Sequence, residues 1–392
     1  MKRRKAEVKV KTGLDVLVEE DFRRIRGRTI GIVANQASTT RELTHIVEEA
    51  RRKGRCNVEI VFSPEHGFAG AIACGEKITG EYYDLDYNIR VFSLYGDTYK
   101  PPIELLEKLD ALVFDLQDVG VRWYTYTSTL YYCIEACSEA GIPIYVLDRP
   151  NPITGEIIEG PILNYKYKSF VGIAEVPVRY GLTIGELALL INDKYNLKAD
   201  LQVVTMKNWK RDYWFSDTGL IWIPPSPNMP TPETATVYPG TTLLEGTNIS
   251  EGRGTTKPFE LVGAPWIKAR KLAEKLNASG ISGVIFRPAY FKPSTSKYAG
   301  ELCGGVQVHV TDKEEFRAFE AGVHIICAVK DLYPDKLRWI KRAGVYFIDQ
   351  LAGTNKLREM VDSGADPWEI IDELERDLDN FVIEREKYLV YF

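Results

Sequence analysis

The 392-residue chain is poor in the residues that usually announce a metal or a redox centre. It has four histidines, His45, His66, His309 and His324, and no His-x-x-x-His pair. A zinc site therefore has no support in the sequence. Its six cysteines are Cys56, Cys74, Cys133, Cys137, Cys303 and Cys327, with no Cys-x-x-Cys among them. Six are too few for a secreted disulfide framework of this length and point to a reducing compartment. No apolar run approaches the ~18 residues of a membrane span. The basic opening, Lys2 to Lys11, alternates with apolar residues instead of leading into an apolar stretch. It reads as a solvated tail or a first strand, not an export signal. These absences point to a cytoplasmic protein with no membrane partner. Charge of one sign is also lacking, with 50 Lys and Arg against 55 Asp and Glu, a net of −5. Without a basic stripe, nucleic acid is a poor partner. Nucleotide motifs are missing too. Ala34-Asn-Gln-Ala-Ser-Thr follows the first predicted strand and carries no glycine, so the dinucleotide fingerprint is absent. No P-loop and no Gly-x-Ser-x-Gly elbow occurs.

What is present is an ordinary globular balance, 45% hydrophobic and 27% charged. β-Branched runs predict strands at Thr29–Ala34, Val58–Ser63, Arg90–Leu94, Ala111–Asp115 and Ile142–Leu147. Helical spacing predicts helices near 40–53, 103–109 and 128–140 between them. Such alternation predicts a Rossmann-like α/β fold, a parallel sheet with helices on both faces. The run Pro224-Pro-Ser-Pro-Asn-Met-Pro-Thr-Pro232 breaks regular structure. It divides the chain into a Rossmann-like domain, 13–225, and a smaller C-terminal α/β domain, 226–392. In the latter, helices are expected near 265–277 and 313–331, strands near 283–287 and 306–310, and a mostly helical tail over 345–390.

Ligands of open parallel sheets bind beyond the carboxyl ends of the strands. Polar residues crowd those ends here: Asn35-Gln36, Ser63-Pro-Glu-His-Gly67, Tyr95-Gly-Asp97, Asp115-Leu-Gln-Asp118 and Asp148-Arg-Pro-Asn151. Any one of them serves equally well as a cap or turn residue; five such rims together point to a polar small-molecule cleft. The loop Glu245-Gly-Thr-Asn248-Ile-Ser-Glu251-Gly-Arg253-Gly-Thr255 adds charge and backbone freedom. Carboxylates with aromatics such as Trp123, Tyr124, Tyr126, Trp222 and Tyr238 suit carbohydrate chemistry.

Several motifs in order resemble the exo-β-N-acetylmuramidase family of the NamZ type, formerly a domain of unknown function. They include Ser63-Pro-Glu-His-Gly-Phe68, Ser93-Leu-Tyr-Gly96, Phe114-Asp-Leu-Gln-Asp-Val-Gly120, Tyr124-Thr-Tyr126 and Leu147-Asp-Arg-Pro-Asn-Pro152. Ser169-Phe-Val-Gly172, Pro225-Ser-Pro-Asn-Met-Pro230, Leu244-Glu-Gly-Thr-Asn248 and Ser250-Glu-Gly-Arg-Gly-Thr255 continue the pattern. The resemblance implies a cleft between the two domains, no metal and no organic cofactor. It implies release of a terminal β-linked N-acetylmuramic acid from peptidoglycan-type fragments, with a carbohydrate or muropeptide as the small-molecule partner and a homodimer as an allowed assembly. The alternatives are a non-catalytic sugar-binding protein or a hydrolase of another amino sugar. By the resemblance, Glu65 is the first choice of catalytic carboxyl, with His66 beside it. Asp118, Asp115, Asp148, Glu245 and Glu251 are candidates for the second, Asp118 and Glu251 preferred. Arg122, Arg149 and Arg253 are candidates to pair with the lactyl carboxylate of muramic acid. Asn35, Gln117, Tyr124, Asp148, Asn228, Glu245 and Asn248 complete the expected substrate-binding set. The family's histidine before Gly-x-Thr-x-Gly-Glu is replaced here by Tyr180.

Overall fold

A computed structural model describes residues 9–73, 75–78 and 80–392. Most of the basic opening (residues 1–8) and Cys74 lie outside the described residues. The larger sheet is built from β1 (Thr29–Ala34), β2 (Asn57–Ser63), β3 (Glu81–Asp84), β4 (Ile89–Ser93), β5 (Ala111–Asp115), β6 (Ile144–Leu147) and β7 (Leu201–Val204). Their order is β3-β4-β2-β1-β5-β6-β7. All neighbours pair in parallel except β3, which runs antiparallel on the edge. The smaller sheet is antiparallel, β8 (Leu261–Ala264), β10 (Cys303–Val310) and β9 (Val284–Phe291), followed by a two-stranded hairpin, β11 (Lys341–Arg342) and β12 (Val345–Tyr346).

The helices are α1 (Gly13–Glu19), α2 (Ile46–Lys53), α3 (Ile103–Leu106), α4 (Tyr126–Ala140), α5 (Ile184–Lys194) and α6 (Pro232–Thr241). The remainder are α7 (Ala269–Asn277), α8 (Ala318–Leu332), α9 (Phe347–Ala352), α10 (Lys356–Ser363), α11 (Pro367–Glu375) and α12 (Leu378–Arg385). Among the described residues no helix is long and apolar enough to cross a membrane.

Strand alternation sorts the large sheet's side chains into two cores. Ile30, Ile32, Val61 and Val113 meet Leu14 and Val47 of α1 and α2 on one face. Val33, Phe62, Leu112 and Phe114 meet Leu130 and Ile134 of α4 on the other. The second core runs on without a break into Val306, Phe319 and Ile348, so the two sheets share one hydrophobic interior. This is the α/β architecture that the strand–helix alternation predicts.

Local differences have local causes. The helix expected from residue 40 starts at Ile46, because Ile46 N–H bonds back to Ser38 and the His45 ring caps Val47 N–H. Strand β3, Glu-Tyr-Tyr-Asp, is exposed and polar, so it carries no apolar signal. The helical tail is interrupted at its start by the β11–β12 hairpin, which turns through Ala343 (φ 48°) and Gly344 (φ 84°).

The tail is anchored by buried acids. Glu159 pairs with Arg179 and also accepts from Phe319 N–H (2.9 Å) at the start of α8. Glu375 of α11 accepts from Gly160 N–H (2.6 Å). Burial, then Glu159 and Glu320, push the Glu375 carboxyl up to about 7, with Arg317 opposing. Burial and Glu159 push Glu320 to about 7 as well. A carboxyl raised in the folded state stabilises fully below its unfolded pKa, about 4.3, and that contribution is lost as pH rises through the folded value. Glu375→Gln keeps the acceptor for Gly160 and cannot ionise. It is expected to raise the melting temperature by about 2–4 °C at pH 8 and to leave it unchanged at pH 4. Calorimetry at the two pH values measures this, and an equal shift at both would remove the acid cluster as its cause.

Candidate active site

After β2 the chain reverses through two consecutive left-handed residues, His66 (φ 74°) and Gly67 (φ 76°), with Gly67 N–H bonded to Pro64 O (3.1 Å). In an extended strand Glu65 and His66 would face opposite ways. The turn instead brings both to the wall of one cavity of about 290 Å³. Glu65 is buried, and both its oxygens are held. Oε2 accepts from the Thr125 hydroxyl (2.7 Å) and Oε1 from Gly75 N–H (3.0 Å). His66 Nδ1 lies 2.8 Å from Ile72 O, which assigns its proton to Nδ1 and leaves Nε2 as the acceptor. Burial lowers the His66 pKa against the pull of Glu65, so the ring is neutral at neutral pH.

The opposite wall belongs to the second half of the chain. Glu245 follows α6 in a 3₁₀ turn, Thr242–Gly246. Arg253 donates to Glu245 (2.8 Å), lies 3.4 Å from Glu251, and sits 4.9 Å over the Phe259 ring. Lys297 closes the row, donating to Glu251 (2.9 Å) and to the carbonyls of Leu244 and Ile249. Burial would raise the Glu245 pKa, but Arg253, with Lys297 and Arg342, holds it below the usual carboxylate range. Arg342, from the β11–β12 hairpin, also lines the cavity. Its guanidinium lies 3.9 Å from Glu245 and 3.4 Å over the Phe347 ring, and its side chain is 56% exposed.

Trp123, Tyr124, Tyr238 and Phe170 supply the aromatic lining. Trp123 Nε1 and Thr242 Oγ1, on two residues that line the cavity, are buried with no hydrogen-bond partner among the described residues. Buried polar atoms are nearly always paired, so these two stand out as exceptions behind the cavity wall.

Of the residues expected from sequence, Glu65, His66, Tyr124, Asn228, Glu245 and Arg253 line this cavity together. The others lie outside the lining of this cavity. Asp118 is fully buried beneath the rim, bonded by the Tyr180 hydroxyl and by Gly120 N–H (2.7 Å), and burial pushes it up to about 6. Glu251 stands behind Arg253, occupied by Lys297. Arg122 is buried and donates through its two terminal nitrogens to the carbonyls of Pro161, Val176 and Leu351. Asp148 accepts from Thr183 (2.8 Å), Gly185 (2.8 Å) and Tyr391 (2.6 Å). Arg149 is locked bidentate on Asp115 (2.6 and 2.8 Å). Asn35 donates to Tyr126 and Pro225, and Gln117 to the carbonyls of Asp118 and Pro150. Asn248 braces Lys336 and Arg338. Trp222 and Tyr126 lie away from the cavity wall. Sequence reasoning missed Thr125, Thr242, Ser226 and Arg342. Only Thr125 and Ser226 stood inside quoted motifs. Among the described residues no three His, Cys, Asp or Glu side chains are grouped to hold a metal ion.

Comparison with known proteins identifies the family. Residues 30–233 match the family described as exo-beta-N-acetylmuramidase NamZ, N-terminal, and residues 236–391 its C-terminal counterpart. The chain is 46% identical over 383 residues to the peptidoglycan beta-N-acetylmuramidase NamZ of Bacillus subtilis, covering 98% of this chain and 92% of that protein. Two crystal structures of DUF1343 family proteins from Bacteroides fragilis are also similar. One has a TM-score of 0.90 at 36% identity, covering 98% of this chain and 100% of that one. The other has a TM-score of 0.78 at 31% identity, covering 97% and 99%.

The Tyr180–Asp118 pair gives a test independent of activity. The tyrosine hydroxyl favours the ionised carboxylate, and burial opposes it. Tyr180→Phe should cost about 1–3 kcal/mol of stability. The loss should be larger at pH 8, where Asp118 must be charged, than at pH 5. Urea midpoints at the two pH values measure it, and a pH-independent loss would assign the effect to packing.

Proposed function

The chain belongs to the exo-beta-N-acetylmuramidase NamZ family and is a glycosidase, and on that premise we propose how its cavity releases a terminal β-linked N-acetylmuramic acid from a peptidoglycan fragment. Glu65 donates the proton to the departing glycosidic oxygen, and a water then adds to the anomeric carbon and returns a proton to the Glu65 carboxylate. Glu245, kept ionised by Arg253, stabilises the positive charge that builds on the sugar ring. Trp123 and Tyr238 provide apolar faces for the ring. The lactyl carboxylate, the group that separates muramic acid from glucosamine, is received by Arg342 together with Arg253. The observation that carries the reading is the meeting of Glu65 and Glu245 in one cavity, in unlike surroundings: one held by a hydroxyl and an amide, the other by guanidinium groups.

Two finer statements belong to the same proposal. We place the domain boundary at 225/226, supported by the change from a parallel to an antiparallel sheet across the proline-rich segment. We place the protein in the cytoplasm, in keeping with five unpaired cysteines among the described residues.

The test compares a nitrophenyl β-N-acetylmuramide with a muramyl disaccharide, and each with its glucosaminyl analogue. Glu65→Gln is expected to lose about 10²–10⁴-fold in kcat on the disaccharide. Its loss on the nitrophenyl glycoside should be much smaller, because that leaving group needs little protonation. Glu245→Gln should lose equally on both. An equal loss on both substrates in Glu65→Gln would remove Glu65 as the acid. Arg342→Ala should raise KM for the muramide about fivefold and leave the glucosaminide unchanged. Parallel losses on the two sugars would overturn its assignment to the lactyl group.

A further inference from the structure

Beside the cavity lies an open groove of about 770 Å³. It shares a wall with the cavity. Asn228 lines both, and the consecutive residues Arg253 and Gly254 line one each. We propose that this groove receives the leaving-group side of the glycan, with Tyr290 as the platform for an N-acetylated sugar. The inference rests on the reading above and extends it from the sugar released to the chain left behind.

The groove is built rather than incidental. Gly254 has φ +78°, and a Cβ there would lie 2.5 Å from Thr295 N, so the two loops are packed backbone to backbone. The N–H and hydroxyl of Ser294 both donate to Gly254 O at 2.9 Å. Tyr290 stands on β9 opposite Gly304 of β10. Its ring carbon comes within 3.4 Å of where a Cβ at Gly304 would be. The missing side chain gives the ring a bed of bare backbone, and the residue remains 67% exposed. The lining holds hydroxyls, an amide and one cation, Lys292, and no carboxylate. An exposed, braced aromatic face among uncharged donors and acceptors suits a neutral pyranose. An exo-acting enzyme encloses one sugar, and the rest of the chain must leave through the wall that the two spaces share.

Tyr290→Ala is read on the nitrophenyl muramide and on a tetrasaccharide with a non-reducing muramic acid. On the tetrasaccharide kcat/KM is expected to fall about five- to tenfold, mainly through KM. On the nitrophenyl substrate it should stay within about twofold of wild type, and Tyr290→Phe should restore the tetrasaccharide value. Equal effects on both substrates overturn the groove assignment and leave the glycosidase intact. Calorimetry in the Glu65→Gln background repeats the test without turnover. Tyr290→Ala should weaken the tetrasaccharide and leave free N-acetylmuramic acid unchanged; unchanged tetrasaccharide affinity overturns the proposal even if no substrate is cleaved. Failure of wild type to cleave either substrate would overturn the catalytic reading instead.

Discussion

A charge buried at the carboxyl edge of a parallel sheet has to find its partner there, and that requirement sorts the rim of this protein into structure and chemistry. Removing one member of a buried pair costs more than the pair itself contributes, so such sites are filled completely or not at all. Asp115 and Arg149 satisfy each other bidentately. Asp148 collects four donors, one of them from Tyr391 near the end of the chain. Arg122 is taken up by three carbonyls. These residues look catalytic in a sequence because charge at a strand end usually is. They are closed to a substrate because each is buried and bonded to partners inside the protein. The charged groups that line the cavity are Glu65, Glu245, Arg253 and Arg342.

The closed residues still shape the site. Arg122 reaches Leu351 O, 229 positions away in the chain. That carbonyl belongs to α9, the helix that begins with Phe347 on the cavity wall. The guanidinium thus ties the loop after β5, which carries Trp123 to Thr125, to the element that carries the opposite wall. Lys297 does similar work inside the second half, gathering two carbonyls and Glu251 behind Arg253. Each half supplies one carboxylate, and neither half encloses the cavity alone.

This also explains what the sequence could reveal. Strands such as Thr29–Ala34 and Ala111–Asp115 were legible because a sheet covered on both faces needs unbroken apolar runs. Edge strand β3 was not, since an exposed Glu-Tyr-Tyr-Asp carries no such pattern. The polar rims were legible as a group. Which members pair with one another was not, because pairing depends on positions as distant as Asp148 and Tyr391. The pairing of Glu65 and His66 on one wall needed the left-handed turn at His66, which alternation argues against. Arg342 had no signal at all. It sits on a two-residue strand in a tail that reads as helical, and its place beside Glu245 is set by the hairpin alone.

Tyr180 shows why a departure from a family pattern has to be located before it is interpreted. On sequence alone, tyrosine in place of the family's histidine bears on the choice of sugar. In the fold it is fully buried and donates to Asp118, below the cavity wall. Histidine and tyrosine can each offer one hydrogen-bond donor to that carboxylate. Tyr180 therefore belongs to a supporting pair below the cavity and not to its lining. The wall that meets the sugar keeps Trp123, Tyr124 and Glu65 in place. On the proposed mechanism, discrimination between amino sugars then falls to groups on the opposite side, where the Arg342 side chain is more than half exposed.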